Sequence, residues 1–202
     1  MLKVSISHGN SKMGAIPSVS LPPVVTCPNS APCAKKCYAA KLCRIYPTVK
    51  QAYQNNYDIL NSNPAEYWAQ VRSAVSTSRY FRFHVAGDIP NPSYFAEMVT
   101  TAKQNPHTKI LAFTKQYDIV NQYIDTFGAL PENLKVIFSR WSPEWDITIH
   151  NPYNLPMSAV IFKHTNSIEY DKICGGNCTE CACCGVGCWE LKSGETIAFY
   201  EH

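Results

Sequence analysis

The chain predicts an α/β fold, a partial (β/α)6 barrel of parallel strands in one domain over residues 1–202. Three observations carry that expectation. Short runs rich in Val, Ile, Phe and Tyr alternate with longer runs of helical period, the pattern of parallel strands joined by right-handed crossovers. Polar residues follow one strand after another: His84 with Gly87 and Asp88, then Lys115, then Ser139 and Arg140, then Lys163 and His164. Strand C-terminal ends are where α/β proteins build sites, and polar groups on successive ends suit a shared barrel mouth better than a single crevice. Finally, the cysteines fall in two segments only, 27–43 after the first strand and 174–188 before the last.

The elements read in order as follows. Residues 2–7 form the first strand, and a helix covers 49–60. Asn63-Pro64 then opens a helix, a capping side chain followed by proline at the first helical position. Its stripe is Tyr67, Trp68, Val71, Ala74 and Val75. Residues 79–86 (RYFRFHVA) form the next strand. Asn91-Pro92 repeats the helix start, with Tyr94, Phe95, Met98, Val99 and Ala102 as its stripe. Strand 109–114 (KILAFT) follows, then a helix carrying Ile119, Val120, Tyr123, Ile124 and Phe127. Runs 134–139 (LKVIFS), 158–162 (SAVIF) and 196–200 (TIAFY) complete the strands. These apolar stripes read as core faces.

Composition narrows the function classes. Hydrophobic residues are 46% and charged residues 16%, the balance of an ordered chain that buries much of its surface. A net charge of +3, with no basic run longer than Lys35-Lys36, neither implies nor excludes nucleic-acid binding. No apolar stretch reaches the roughly 18 residues of a membrane span, so no membrane partner is expected. The start, MLKVSISHGNSKMG, carries no apolar secretory region, and the expected compartment is the reducing cytoplasm.

There the ten cysteines read as metal ligands rather than disulfides. Adjacent Cys183 and Cys184 also suit a disulfide framework poorly. Zinc sites are typically built from two short cysteine pairs, and neither group here divides into two such pairs, which favours iron–sulfur over zinc. Cys27, Cys33 and Cys37 can hold three irons of a [4Fe–4S] cube and leave the fourth open to a small ligand. Cys43 lies past 39–42, in a segment that can already be helical, and reads as a partly buried free thiol. In the second group, Gly175, Gly176, Gly185 and Gly187 allow tight wrapping and aim amides at sulfurs. Cys174, Cys178, Cys181 and Cys188 are the favoured ligands of a second, closed [4Fe–4S] site, with Cys184 next in line for the fourth place and Trp189 as a shield.

Strand alternation places His84, Ala86 and Asp88 on one face. His84, Asp88, Lys115 and Arg140 are then the candidate catalytic groups. Lys115, Arg140 and Lys163 suit a carboxylate or phosphate, though each can equally be a solvated strand-end residue, and His84 can equally be a satisfied core histidine.

A cysteine triplet after the first strand, with Tyr38 beside a ligand, resembles the radical S-adenosylmethionine superfamily. Ala86-Gly87-Asp88 is similar to that superfamily's Gly-Gly-Glu element. The resemblance implies that Gly87 and Asp88 hold the amino group of S-adenosylmethionine. The spacing departs from it: the superfamily's is C-x3-C-x2-C, and here it is C-x5-C-x3-C. The chain also resembles the phage gene product 88 family over nearly its whole length. The residues are Gly9-Asn10-Ser11-Lys12-Met13-Gly14, Cys33 through Ala39, Phe83 through Asp88, Ala112-Phe113-Thr114-Lys115 and Phe138-Ser139-Arg140-Trp141, with the C-terminal cysteines and His202. Together these imply an iron–sulfur enzyme of phage or prophage origin acting on a small-molecule or nucleotide substrate, with an external electron donor. The alternative is a non-catalytic iron–sulfur or zinc-stabilised binding protein.

Overall fold

The computed structural model describes residues 2–28, 32–140, 148–161 and 169–200. Of the residues singled out above, Trp141, Phe162, Lys163, His164 and His202 lie outside these. In chain order the elements are β1 (Ile6–Ser7), β2 (Ser18–Val19), α1 (Tyr38–Ile45), α2 (Pro47–Ser62), α3 (Pro64–Ser76), β3 (Tyr80–Phe83), α4 (Pro92–Gln104), β4 (Lys109–Thr114), α5 (Tyr117–Phe127), β5 (Leu134–Ser139), β6 (Met157–Ile161), β7 (Lys172–Ile173), α6 (Cys178–Cys184) and β8 (Thr196–Tyr200). The helix starts follow the expected chemistry. Asn63 accepts from the Glu66 amide and Asn91 from the Tyr94 amide, each with proline next in line.

The strands form one sheet in the order β1-β2-β3-β4-β5-β6-β8-β7, and every pairing except β1 with β2 is parallel. From β2 to β6 the order is sequential, so each right-handed crossover steps the same way and its helix lands on the same face. Phe81, Phe83, Ile110, Ala112, Leu134, Val136 and Phe138 turn to that face and pack with the stripes of α2 to α5. The alternate residues Leu111, Ile137 and Ile197 turn to the other face and pack with Met13, Ala182, Trp189 and Leu191. The C-terminal cysteine segment therefore covers the sheet face that the helices leave bare.

Three expectations are corrected. The sheet is open and eight-stranded, with β1 and β7 at its edges, rather than a six-stranded barrel. The expected first strand shrinks to β1, an antiparallel edge, and β2 becomes the parallel strand that leads into the first cysteine loop. A two-residue strand has no length over which alternation can be read. The expected strand 79–86 ends at Phe83, because His84 takes a left-handed backbone with φ 61°. The even alternation expected for His84, Ala86 and Asp88 stops there.

Amide side chains tie the N-terminal segment to the helices. Asn56 of α2 accepts from the Ser5 amide (2.7 Å) and donates to the carbonyls of Ser5 (3.1 Å) and Ser20 (3.0 Å). Gln70 of α3 accepts from the Val4 amide and donates to the Leu2 carbonyl. Asn56 is fully buried, so its bonds fix the start of the loop that carries the first cysteines.

Candidate functional site

The floor of the first site is the segment after β3. Ser20 Oγ accepts from the amides of Val85 and Ala86, and the Ala86 carbonyl accepts from the Leu21 amide. Gly87 has φ 79°, and a Cβ there would meet the Leu21 carbonyl oxygen at 2.6 Å and Thr26 Oγ1 at 2.7 Å. Only glycine permits this approach of the β3 loop to the β2 loop. Asp88, buried, receives three donors: Thr114 Oγ1 (2.5 Å) and the Ile89 amide (2.8 Å) at Oδ1, and the Lys115 amide (2.8 Å) at Oδ2. A carboxylate offers about four acceptor positions. Burial pushes the Asp88 carboxyl up to about 6, against the pull of those donors.

Lys115 lies at the end of β4. Its ammonium donates to the Ser139 carbonyl (2.9 Å), Ser139 Oγ (2.7 Å) and the Arg140 carbonyl (2.9 Å). These match the three donors of an ammonium, so Lys115 joins the ends of β4 and β5. Tyr117 adds a bond from its hydroxyl to the Ser139 carbonyl. Arg140 is held through its backbone by β6, its amide donating to the Ser158 carbonyl, while its guanidinium lies 3.7 Å from Met157 Sδ.

The first cysteine loop closes over this floor. Cys37 caps α1, its sulfur accepting from the Ala40 amide. Tyr38 exposes 54% of its surface, yet its hydroxyl end is tucked in and donates to the Val85 carbonyl (2.6 Å). Cys27, Cys33 and Cys37 lie within electrostatic reach of one another, and Cys27 and Cys33 also of Asp88. Burial pushes the Cys27 thiol up to about 12. Cys33 is raised for the same reason, with the Lys115 ammonium pulling the other way. Thus the three expected thiols, Gly87, Asp88 and Lys115 share one end of the sheet. Cys43 sits in α1, half-buried and with its thiol raised by burial.

His84 departs from the group. Its left-handed backbone turns the ring into the helix-side core, where Nε2 meets the Tyr94 hydroxyl (3.0 Å), which meets the Tyr67 hydroxyl (3.0 Å). Burial pushes its imidazole down to about 3, so it is neutral at ordinary pH. Nδ1 is buried without a partner among the described residues.

The second cysteine group is built differently. Asn177 caps α6, accepting from the amides of Thr179 and Glu180, and Gly185 ends the helix in the left-handed region. The expected loop thus contains a helix; an asparagine cap, Glu180 three residues on and a terminal glycine were the available signal. The turn 9–14 clamps α6: Thr179 Oγ1 donates to the Met13 carbonyl and accepts from the Ala15 amide, and the Lys12 carbonyl accepts from the Cys178 amide. Cys174, Cys178, Cys181 and Cys188 are half-buried against the bare sheet face, whereas Cys183 and Cys184 are exposed. The four half-buried thiols lie within electrostatic reach of one another, and burial pushes Cys188 up to about 12. Trp189 packs edge-on to Tyr80, whose hydroxyl donates to the Ala182 carbonyl.

Both donor sets suit a soft thiophilic group, since all ten cysteines are free and neither set contains a disulfide. Among the described residues, no three His, Cys, Asp or Glu side chains stand close enough to hold a single metal ion. A cube makes a wider demand, because each thiolate meets a different iron. An open cleft of ≈ 1210 Å³ lies elsewhere, lined by Lys3, His8, Gln70, Arg79 and neighbours, and includes none of the expected site residues. Sequence reasoning missed Arg82, which lies among the second group of thiols; the signal was a charged residue alternating with Phe81 and Phe83 in an apolar run.

The profile of the gene product 88 family matches residues 3–176, so the chain belongs to that family. The match ends inside the second cysteine segment and takes in Cys174 alone of its six cysteines. The Gene 88 protein of Mycobacterium phage L5 is 27% identical over 150 residues, an alignment spanning 63% of this chain and 63% of that relative. No solved structure matches the chain. No described helix is long and apolar enough to cross a membrane.

Proposed function

We propose that this member of the gene product 88 family is a cytoplasmic iron–sulfur protein with two [4Fe–4S] centres, the first of which serves S-adenosylmethionine chemistry. Cys27, Cys33 and Cys37 hold the first centre; Cys174, Cys178, Cys181 and Cys188 hold the second. The observation that carries the reading is the meeting of three free thiols with a buried acid, Asp88, at the ends of successive parallel strands. A cluster held there would supply one-electron reductive cleavage of the sulfonium, with the electron drawn from an external donor.

The chain's own residues bind and orient. Cys27, Cys33 and Cys37 would hold a cluster by three thiolates and so would leave room for an amino-carboxylate group. Asp88 Oδ2 accepts one backbone donor and keeps a lone pair for the ammonium of that group. Gly87 lets the Asp88 loop lie against Leu21 and Thr26, which sets the height of the carboxylate. Lys115 and Arg140 act as positioning residues here: the Lys115 ammonium fixes the β4 and β5 ends and favours the Cys33 thiolate. His84 positions the β3 end through its bond to Tyr94.

Anaerobic reconstitution followed by iron and sulfide analysis tests the reading. Two cubes are expected, with absorption near about 400 nm. Replacing Cys27, Cys33 and Cys37 by Ala, or Cys174, Cys178 and Cys181 by Ala, should each remove about half the iron. S-adenosylmethionine should perturb the electron-resonance spectrum of the protein that retains the first set, and do so less after Asp88→Asn. A protein that takes up zinc and no sulfide would instead be the zinc-stabilised binding protein.

A further inference from the structure

The strand β3 turns Phe81 and Phe83 to the helices, and so turns Tyr80 and Arg82 to the face covered by the second cysteine group. The Arg82 guanidinium lies over the Phe113 ring, 4.8 Å from its centroid, and Nη1 donates to Met13 Sδ at 3.3 Å. It also stands within electrostatic reach of Cys178 and Cys188. No carboxylate pairs with it among the described residues. Its Nε is buried with no acceptor there. A guanidinium half-buried in a packed face is ordinarily paired with a carboxylate or saturated by oxygens. Among the described residues the acceptor it meets is the sulfur of Met13.

We propose that Arg82 is a positioning residue for the second centre, donating to the sulfurs of a cluster held by Cys174, Cys178, Cys181 and Cys188 and raising its reduction potential. This rests on the two-centre reading above. A cube on four thiolates is anionic and gains a further negative charge on reduction. A cation beside it stabilises the reduced form more than the oxidised one, and the low dielectric of the packed face strengthens the effect. Hydrogen bonds to the sulfurs act in the same direction. Phe113 and Met13 hold the guanidinium on this face of the sheet, and its Nε is left without an acceptor among the described residues. Lysine would bring the charge without the planar fork.

The test uses the Cys27→Ala, Cys33→Ala, Cys37→Ala protein, which keeps the second centre alone, and follows its midpoint potential anaerobically. Arg82→Gln should lower the one-electron reduction equilibrium at least tenfold, about 59 mV. Arg82→Lys should lower it less, and Arg79→Gln, at the exposed start of the strand, should leave it unchanged. If Arg82→Gln holds no cluster, the Arg82→Lys potential decides. Unchanged potentials in a protein that carries iron and sulfide would overturn the role of Arg82 while leaving the two-centre reading intact. Absence of iron and sulfide from the parent triple variant would overturn both.

Discussion

The two cysteine groups occupy opposite kinds of place. The first hangs from the ends of strands: Cys27 follows β2, Cys37 caps α1, and their neighbours Asp88 and Lys115 arrive after β3 and β4. The second is one contiguous segment laid flat across a sheet face and fastened by the turn 9–14. The first is a junction that depends on the register of several strands; the second is a patch docked on one sheet face through the turn 9–14 and Tyr80. Damage to the first should therefore spread through the fold, and damage to the second should stay local.

Gly87→Ala is the most severe way to break the first group. It adds a methyl group 2.6 Å from the Leu21 carbonyl oxygen and places alanine at φ 79°. Backbone strain and overpacking together should cost about 4 kcal/mol. Urea unfolding would measure it; a loss under about 1 kcal/mol would mean that the β2 and β3 loops move apart easily and that the junction is loose.

Asp88 sharpens the same comparison through pH. Burial raises its carboxyl from 3.8 in the unfolded chain to about 6 in the folded one. Between those values the folded state holds a proton that the unfolded state has released. Stability contributed by this group is thus full below pH about 4 and declines as pH rises through about 6, by roughly 3 kcal/mol in total. His84, depressed from 6.5 to about 3, acts with the opposite sign, gaining stability as pH rises. The difference between wild type and Asp88→Asn cancels the His84 contribution. That difference should shift against the wild type from pH 4 to 7, and a flat difference would show that Asp88 ionises as freely as in water.

Gly14→Ala tests whether the second group is a local patch. A Cβ there meets Thr179 Oγ1 at 1.9 Å, and the displaced hydroxyl loses the Met13 carbonyl and the Ala15 amide. The cost should be about 2 kcal/mol. Pulse alkylation of the metal-free protein should find Cys178 and Cys188 faster to react, with Cys27, Cys33 and Cys37 unchanged. Equal acceleration at both groups would erase the distinction.

Much of this was legible in the chain because periodicity is local. The stripes of α3, α4 and α5, the Asn-Pro helix starts and the strands β4, β5 and β8 follow from side-chain type at fixed spacing, which the backbone period alone translates into a face. The split of the cysteines into two groups was equally plain; the difference in exposure between Cys188 and its neighbours Cys183 and Cys184 was not, because it depends on how the segment docks on the sheet. That the first three thiols, Gly87 and Asp88 meet at one end of the sheet was anticipated, because sequential parallel strands bring their C-terminal ends together.

Tertiary structure decided the remainder. Whether a sequential parallel sheet closes depends on strand count, tilt and edges, none of which a single strand encodes; here β1 and β7 leave it open. The two-residue β2 exists because β1 and β3 lie on either side of it. His84 left the strand when one residue turned left-handed, with the Val19 carbonyl accepting from its amide and the Tyr94 hydroxyl hydrogen-bonded to its Nε2. Lys115, chemically fit for a ligand, took the Ser139 hydroxyl and the Ser139 and Arg140 carbonyls because parallel pairing sets the end of β5 beside the end of β4. Arg82 came among the thiols of the second group because a strand near the middle of the sheet and a segment some 100 residues later were folded onto one face. Local pattern sets which way each side chain points; long-range packing alone sets what it meets.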